Sequence, residues 1–413
     1  MDTKNFLLSF PPPEKLLTDR KDESLEAIYE VNGHIHTPYS FSAFENLNEV
    51  FSMAVIEKIS VLGINDFYVT DGYTAFHEGC IRTGIFPLFN IEFIGLMKDE
   101  QKNGTRINDP NNPGRIYFCG KGLDYPFHLS NENSAIIAQV KEETHNQLRA
   151  MISKLNELIK KVNPSLSLSF DNIRKRYAHD LVRERHIAKA LRLLAIESFY
   201  TPEEQTAFIE SLYTNKISKT GMGNPAALEN EIRSNILKAG GSAFVEEDEK
   251  SFLDIKKIIN IITDAGGIPC YPVLLDDTSG NCTEFEGDPE KLYSVLSGLG
   301  VGCIELIPGR NDHDFLEEFV EYFDEKGIII TFGTEHNTPE MIPLTIKARG
   351  GKILSKRLRE INMKGASVIS AHQYLRAYGE QGFIDSTGRP KSVEIEQFES
   401  EGKRILEYYL SRK

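Results

Sequence analysis

Tryptophan is absent, cysteines are few, and no apolar run approaches the length of a membrane span. The five cysteines, Cys80, Cys119, Cys270, Cys282 and Cys303, are odd in number, widely spaced and form no C-x-x-C pair. Neither a disulfide framework nor a thiolate zinc knuckle is therefore encoded, and a reducing compartment is the simpler expectation. The start MDTKNFLLSFPPPEK lacks a charged n-region followed by an apolar h-region, and nothing reaches the roughly 18 apolar residues of a spanning helix. These absences predict a soluble, cytoplasmic protein with no membrane partner. Positive charge is also short, with 47 Lys+Arg against 61 Asp+Glu and a net charge of −14. A field of that sign repels long nucleic acid and anionic membranes, but small anions remain admissible where a basic site or bound metal reverses it locally.

What is present is ordinary globular material, 40% apolar and 26% charged. The 413 residues allow two or three units at roughly 100 to 200 residues each. From about residue 31 short β-branched or aromatic runs alternate with helical-period segments, the pattern of βα units around a parallel sheet or barrel. Strands are predicted at 31–36, 66–70, 87–96, 115–119, 268–275, 301–307 and 327–333. Helices are predicted at about 45–62, 253–265, 288–298 and 312–326, with Gly63, Gly266–Gly267, Gly300 and Gly327 as the caps that precede strands. Almost 150 residues of mostly helical period separate the strands at 115–119 and 268–275, too many for a βα connection, so a helical insert is expected at 125–250. The resulting division is an N-terminal lead-in at 1–30, a barrel from 31–124 and 251–343, the insert, and a helical C-terminal cap at 344–413. Within that cap helices are predicted at about 344–362, 364–378 and 394–412.

Candidate chemistry gathers at predicted strand ends. Gly33-His34-Ile35-His36-Thr37 puts two imidazoles at i and i+2, on one face of a strand, where both can close on one metal ion at about 2.0–2.1 Å. An H-x-H pair alone also suits two structural histidines. Further polar groups follow at or just beyond later strand ends: Asp71 in FYVTDG, Glu92 in NIEFIG, Glu305 in CIELIPG, and Glu335-His336 in FGTEHNTP. In barrels that end carries the chemistry. Glu92, inside an apolar strand, would be costly to bury unless paired or metal-bound, whereas Glu305 also reads as a satisfied buried carboxylate and Asp71-Gly72 as a turn. Carboxylate and imidazole donors without thiolates suit Zn, Mn or Fe.

The stretches NGHIHTPYS, LGINDFYVTD, NIEFIG, GGIPCYP and FGTEHNTP, in that order over about residues 31–340, resemble the PHP (polymerase and histidinol phosphatase) superfamily. The resemblance implies a distorted (β/α)7 barrel carrying a metal-dependent phosphoesterase site. Arg185-His186-Ile187-Ala188-Lys189-Ala190-Leu191 looks like the insert of those members that act on nucleotide phosphates and short oligonucleotides, in which this helix start approaches the substrate phosphate. The chain also departs from the family's pattern. Gly72, Tyr117 and Tyr271 stand where it has histidines, Glu335 replaces its last Asp, and His336 sits one position early, with Asn337 in the usual place.

On this basis the expected metal ligands are His34, His36, Asp71, Glu92, Glu335 and His336. His34, His36, Glu92 and Glu335 would form one firm site, and the other sites would be depleted. Asp71 or His336 would orient water or act as general base, and Arg183, Arg185, His186, Arg310 and Tyr271 would contact substrate. The expected activity is hydrolysis of a small phosphorylated molecule such as a nucleotide or sugar phosphate by metal-activated water. The alternatives are a non-phosphate metal hydrolase and a degenerate metal-binding protein with a regulatory or ligand-binding role. The oligomeric state is left open.

Overall fold

Seven strands form one sheet in chain order: β1 (Glu30–Ile35), β2 (Ile59–Phe67), β3 (Phe86–Leu96), β4 (Arg115–Lys121), β5 (Ile268–Val273), β6 (Cys303–Leu306) and β7 (Ile329–Phe332). All neighbours are parallel except β4, which runs antiparallel to both β3 and β5. The two edges meet just beyond β7: His36 N–H donates to Glu335 O at 2.6 Å, and Thr334 N–H and Glu335 N–H donate to His34 O at 3.1 and 3.0 Å. The sheet thus closes almost completely, and the expected distorted (β/α)7-type barrel is the fold of this computed structural model, which describes residues 5–17, 28–213, 216–385 and 387–412. Part of the expected lead-in, residues 1–4 and 18–27, lies outside the described residues.

Local chemistry accounts for the outer helices of the second half. Asp254, Asp288 and Asp312 accept backbone N–H groups at the starts of Ile255–Asp264, Pro289–Gly298 and His313–Glu325, satisfying donors that have no partner within the helix. Gly266, Gly300 and Gly327 follow these helices in the left-handed region, where a side chain would be strained.

Three expectations are corrected. The second strand, expected at 66–70, is instead Ile59–Phe67; Tyr68 turns left-handed (φ 56°) immediately after it. Gly63 is therefore no cap. It lies inside β2, where a Cβ would stand 2.3 Å from Gly33 O. The C-terminal region does not break near residue 363: one helix runs from Lys356 to Ala377 and packs on β7 and β1, completing the outer layer where the barrel closes. Gly365 permits that contact, since a Cβ there would meet Ile330 O at 2.0 Å.

Between β4 and β5, the long helix Asn131–Val162 and the shorter helices Phe170–Tyr177, Glu184–Ser198, Pro202–Ser211 and Pro225–Ile232 surround an apolar core of their own, including Leu155, Leu191, Ile209 and Ile232. The first part of the connection does not belong to it. Leu123, Leu129, Ile137 and Val140 pack into the barrel's core instead. Among the described residues no helix is long and apolar enough to cross a membrane.

Candidate metal centre and its cavity

Strand pleating decides what faces the barrel axis, because alternate side chains point to opposite faces. His34 on β1 and His36 just past its end turn inward, and Asn65, Glu92, Cys119, Lys121, Glu305 and Thr331 converge on them from the other strands. His34 Nε2 and His36 Nε2 lie 3.1 Å apart. Glu92 Oε2 stands 3.0 Å from His36 Nε2 and 3.7 Å from His34 Nε2. These separations approach the ~3.4 Å between donors that share one tetrahedral ion at about 2.1 Å.

The other nitrogen of each imidazole is already engaged. His34 Nδ1 is 2.5 Å from Glu305 Oε2, and the second Glu305 oxygen is ion-paired with Lys121 Nζ. Nδ1 is thereby fixed as the N–H donor, leaving the Nε2 lone pair aimed at the centre. His36 Nδ1 faces Ser40 Oγ at 3.2 Å, and Ser40 Oγ donates to Asp66 Oδ1 at 2.5 Å. Thr37 N–H and its hydroxyl also donate to Asp66. Both histidines are thus oriented from behind by a carboxylate, directly or through a hydroxyl.

Burial sets the electrostatics. His36 is fully enclosed, which pulls its pKa down to about 4 and keeps it in the neutral, ligating form. Burial pushes the Glu92 carboxyl up, reinforced by the nearby Glu335 and Glu305 carboxylates. Burial also opposes ionisation of Glu305, but His34 and Lys121 outweigh it and hold its pKa down at about 2. Glu92 Oε2 is buried without a well-formed hydrogen bond. An orphaned carboxylate oxygen facing two imidazole lone pairs is a donor set that fits a divalent cation.

Not every expected residue joins this cluster. Asp71 is exposed beyond the end of β2, and the acid that β2 brings behind the histidines is Asp66. His336 is buried but turned away: Nδ1 meets Thr334 Oγ1 at 2.9 Å, Nε2 meets Ile342 O at 2.8 Å, and the ring stacks on Phe44. Glu335 and His336 are both left-handed (φ 62° and 58°), a costly conformation for residues with side chains. This turn sends the Glu335 carboxylate into the cavity, where Arg310 pairs with it. Tyr271 is out of phase with its inward neighbour Cys270. It lies in the outer core and donates to Glu286 Oε1 at 2.7 Å. Glu305 acts on His34 from behind and does not belong to the cluster of His34, His36 and Glu92.

Above the cluster opens a cavity of about 370 Å³, with Glu92, Glu335 and Tyr117 on its wall. Arg183, Arg185 and Arg310 line it; Arg233 and Lys238 do so as well, without any local signal in the sequence. Arg183 lies over the Phe67 ring at 4.3 Å. Arg185 has Asn230 Oδ1 at 2.9 Å; burial, reinforced by Arg233, pulls its pKa down to about 10. His186 does not line the cavity. Its Nδ1 accepts Arg183 N–H at 2.9 Å and caps the helix it starts. The flanking cations Arg174, Arg176 and Lys141 are spent on surface pairs with Asp180 and Glu197.

Neither a protein-family profile nor a curated protein matches the chain. Solved structures do resemble it. A "putative metal-dependent phosphoesterase" from Bifidobacterium adolescentis ATCC 15703 superposes with a TM-score of 0.53 at 15% identity, covering 88% of this chain and 99% of that one. An amidohydrolase from Chromobacterium violaceum, with bound sulfate and no metal, gives 0.50 at 17% identity, covering 81% and 96%. At these identities the likeness is one of fold.

Proposed function

We propose that this chain is a metal-dependent hydrolase of small phosphorylated molecules, a phosphatase or phosphodiesterase. The observation that carries the reading is the convergence of His34 Nε2, His36 Nε2 and the orphaned Glu92 Oε2 beside a cavity walled by Arg183, Arg185 and Arg310. His34, His36 and Glu92 would hold a divalent ion of the Zn, Mn or Fe kind, with Glu335 at its edge. When bound, such an ion supplies Lewis acidity and lowers the pKa of water toward about 7. The guanidinium groups neutralise and orient the phosphate, and Phe41 and Phe67 give the cavity an apolar wall. The names of the two similar structures, a metal-dependent phosphoesterase and an amidohydrolase, support metal-assisted hydrolysis as the broader class. A cytoplasmic location and exclusion of long nucleic acid and membranes remain part of this proposal, on the sequence grounds given above.

The test is elemental analysis of the purified protein together with turnover on a panel of nucleotide and sugar phosphates. Metal should copurify, and the His34→Ala/His36→Ala double variant should lose most of it. Unchanged metal content in that variant overturns the assignment. A second reading, a metal-stabilised ligand-binding protein without turnover, is favoured by the positions of Asp71 and His336, neither of which can orient water in the cavity. Tightly held metal with no turnover across the panel would select it.

A further inference from the structure

A second set of donors lies directly behind the first. One nitrogen of His34, Cys119 Sγ and one oxygen of Glu305 all lie within 4.8 Å of one another, and all three residues are buried. Cys119 Sγ is 3.8 Å from Glu305 Oε2. Asn65, which donates to Cys119 Sγ at 3.3 Å, leaves its own buried Oδ1 without a partner. Imidazole, thiol and carboxylate are the donor types of a Zn-like site. One feature of this barrel opposes it: Lys121, two residues along β4 from Cys119 and so on the same face, projects its ammonium onto Glu305, with 1% of the side chain exposed.

We propose that Lys121 is a built-in cation that takes the place of a second metal ion and keeps the centre mononuclear. This rests on reading His34, His36 and Glu92 as ligands of the first ion. Lys121 consumes one Glu305 oxygen and His34 Nδ1 the other, so no lone pair on that carboxylate faces an incoming ion without displacing a partner. A divalent ion beside a buried ammonium would also meet like-charge repulsion that solvent cannot screen. Lys121 balances Glu305, whereas Glu92 Oε2 has no hydrogen-bond partner and is left open to the first ion. Lys121 thus sets the number of metals by holding Glu305, with His34 Nδ1–H as that carboxylate's other partner.

Cobalt(II) titration tests this by counting ions and reading ligand type together. The wild-type chain should bind one Co²⁺ per chain with no sulfur-to-cobalt charge-transfer band. Lys121→Ala and Lys121→Gln should each bind a second Co²⁺ and acquire that band, and adding Cys119→Ser should abolish it. Cys119→Ser alone should leave the wild-type count and spectrum unchanged, a readout that holds even if the Lys121 variants do not fold. Two ions with a thiolate band in the wild type, or a changed spectrum in Cys119→Ser alone, overturns the proposal. So does a folded Lys121→Ala that stays at one ion, while leaving the ligand reading intact. No Co²⁺ bound by the wild type overturns both.

Discussion

Replacing Glu305 by Gln separates the support of the metal centre from its ligands. Glu305 is fully buried between His34 Nδ1 and the Lys121 ammonium. The amide keeps the shape but removes the charge that fixes the His34 tautomer and balances Lys121. Loss of such an outer partner weakens metal affinity about 10- to 100-fold, or about 1.4 to 2.8 kcal/mol at roughly 1.4 kcal/mol per factor of ten. Breaking one half of a buried ion pair costs a further 3–5 kcal/mol or so of stability, because the remaining charge is left uncompensated. Affinity should be measured by competition with a chromophoric chelator, and stability by urea unfolding of the metal-free protein. The expected result is weaker binding at unchanged stoichiometry, and a stability loss that Lys121→Met partly restores in the double variant. Affinity within twofold of wild type would refute the orienting role, and a stability loss identical with and without Lys121 would refute the pairing.

Other perturbations bear on other parts of the structure. Asp71→Asn should change turnover less than twofold, because the residue is exposed outside the cluster, whereas Asp66→Asn should lower metal affinity through His36; equal effects in a metal-binding assay would contradict the placement. Arg185→Gln removes a half-buried cavity cation and should cost about 10- to 100-fold in kcat/KM on a phosphoester, following the roughly 1.5–3 kcal/mol of a hydrogen bond to a charged group; an unchanged value would remove it from the substrate's path. His372 is held neutral by burial, with Nε2 on Gly266 O and Nδ1 accepting Phe383 N–H, and its pKa is pulled down to about 4. Its stabilising contribution is complete above the unfolded value near 6.5 and is lost as pH falls toward 4, about 2.5 kcal/mol by pH 4.5. Denaturant midpoints should therefore drop less steeply with acid in His372→Gln than in wild type, and parallel curves would count against it. Gly365→Ala should destabilise the fold severely, because its Cβ would stand 2.0 Å from backbone Ile330 O; a denaturation midpoint equal to wild type would show that the helix can move off β7.

How much of this could be read in advance depended on whether a signal was local. The terminal glycines Gly266, Gly300 and Gly327 of the barrel helices were readable because a helix end is satisfied by residues within a few positions of it. The H-x-H pair and Glu92 were readable for a related reason: period-two pleating puts i and i+2 on one face, and a carboxylate in an apolar strand requires a partner. Asp71 is the strand-end carboxylate if the strand is read at 66–70 from its aromatic and β-branched residues, whereas β2 is set by its pairing with β1 and β3. Tyr271 was placed by motif position, and the pleat of β5 turned it outward. Glu335 and His336 point apart because both are left-handed, which nothing in FGTEHNTP announces.

By itself, then, the sequence determined the alternation of strands and helices, the existence of the insert and the inward pair of imidazoles, all of which follow from short-range periodicity and burial cost. Only the tertiary structure decided that Glu305 stands behind His34, that Lys121 from an antiparallel strand occupies that carboxylate, and that Arg233 and Lys238 join Arg183 and Arg185 at the cavity. These groups lie tens to hundreds of positions apart in the chain. They meet because barrel closure and strand register bring them to the same depth, and no local pattern encodes that coincidence.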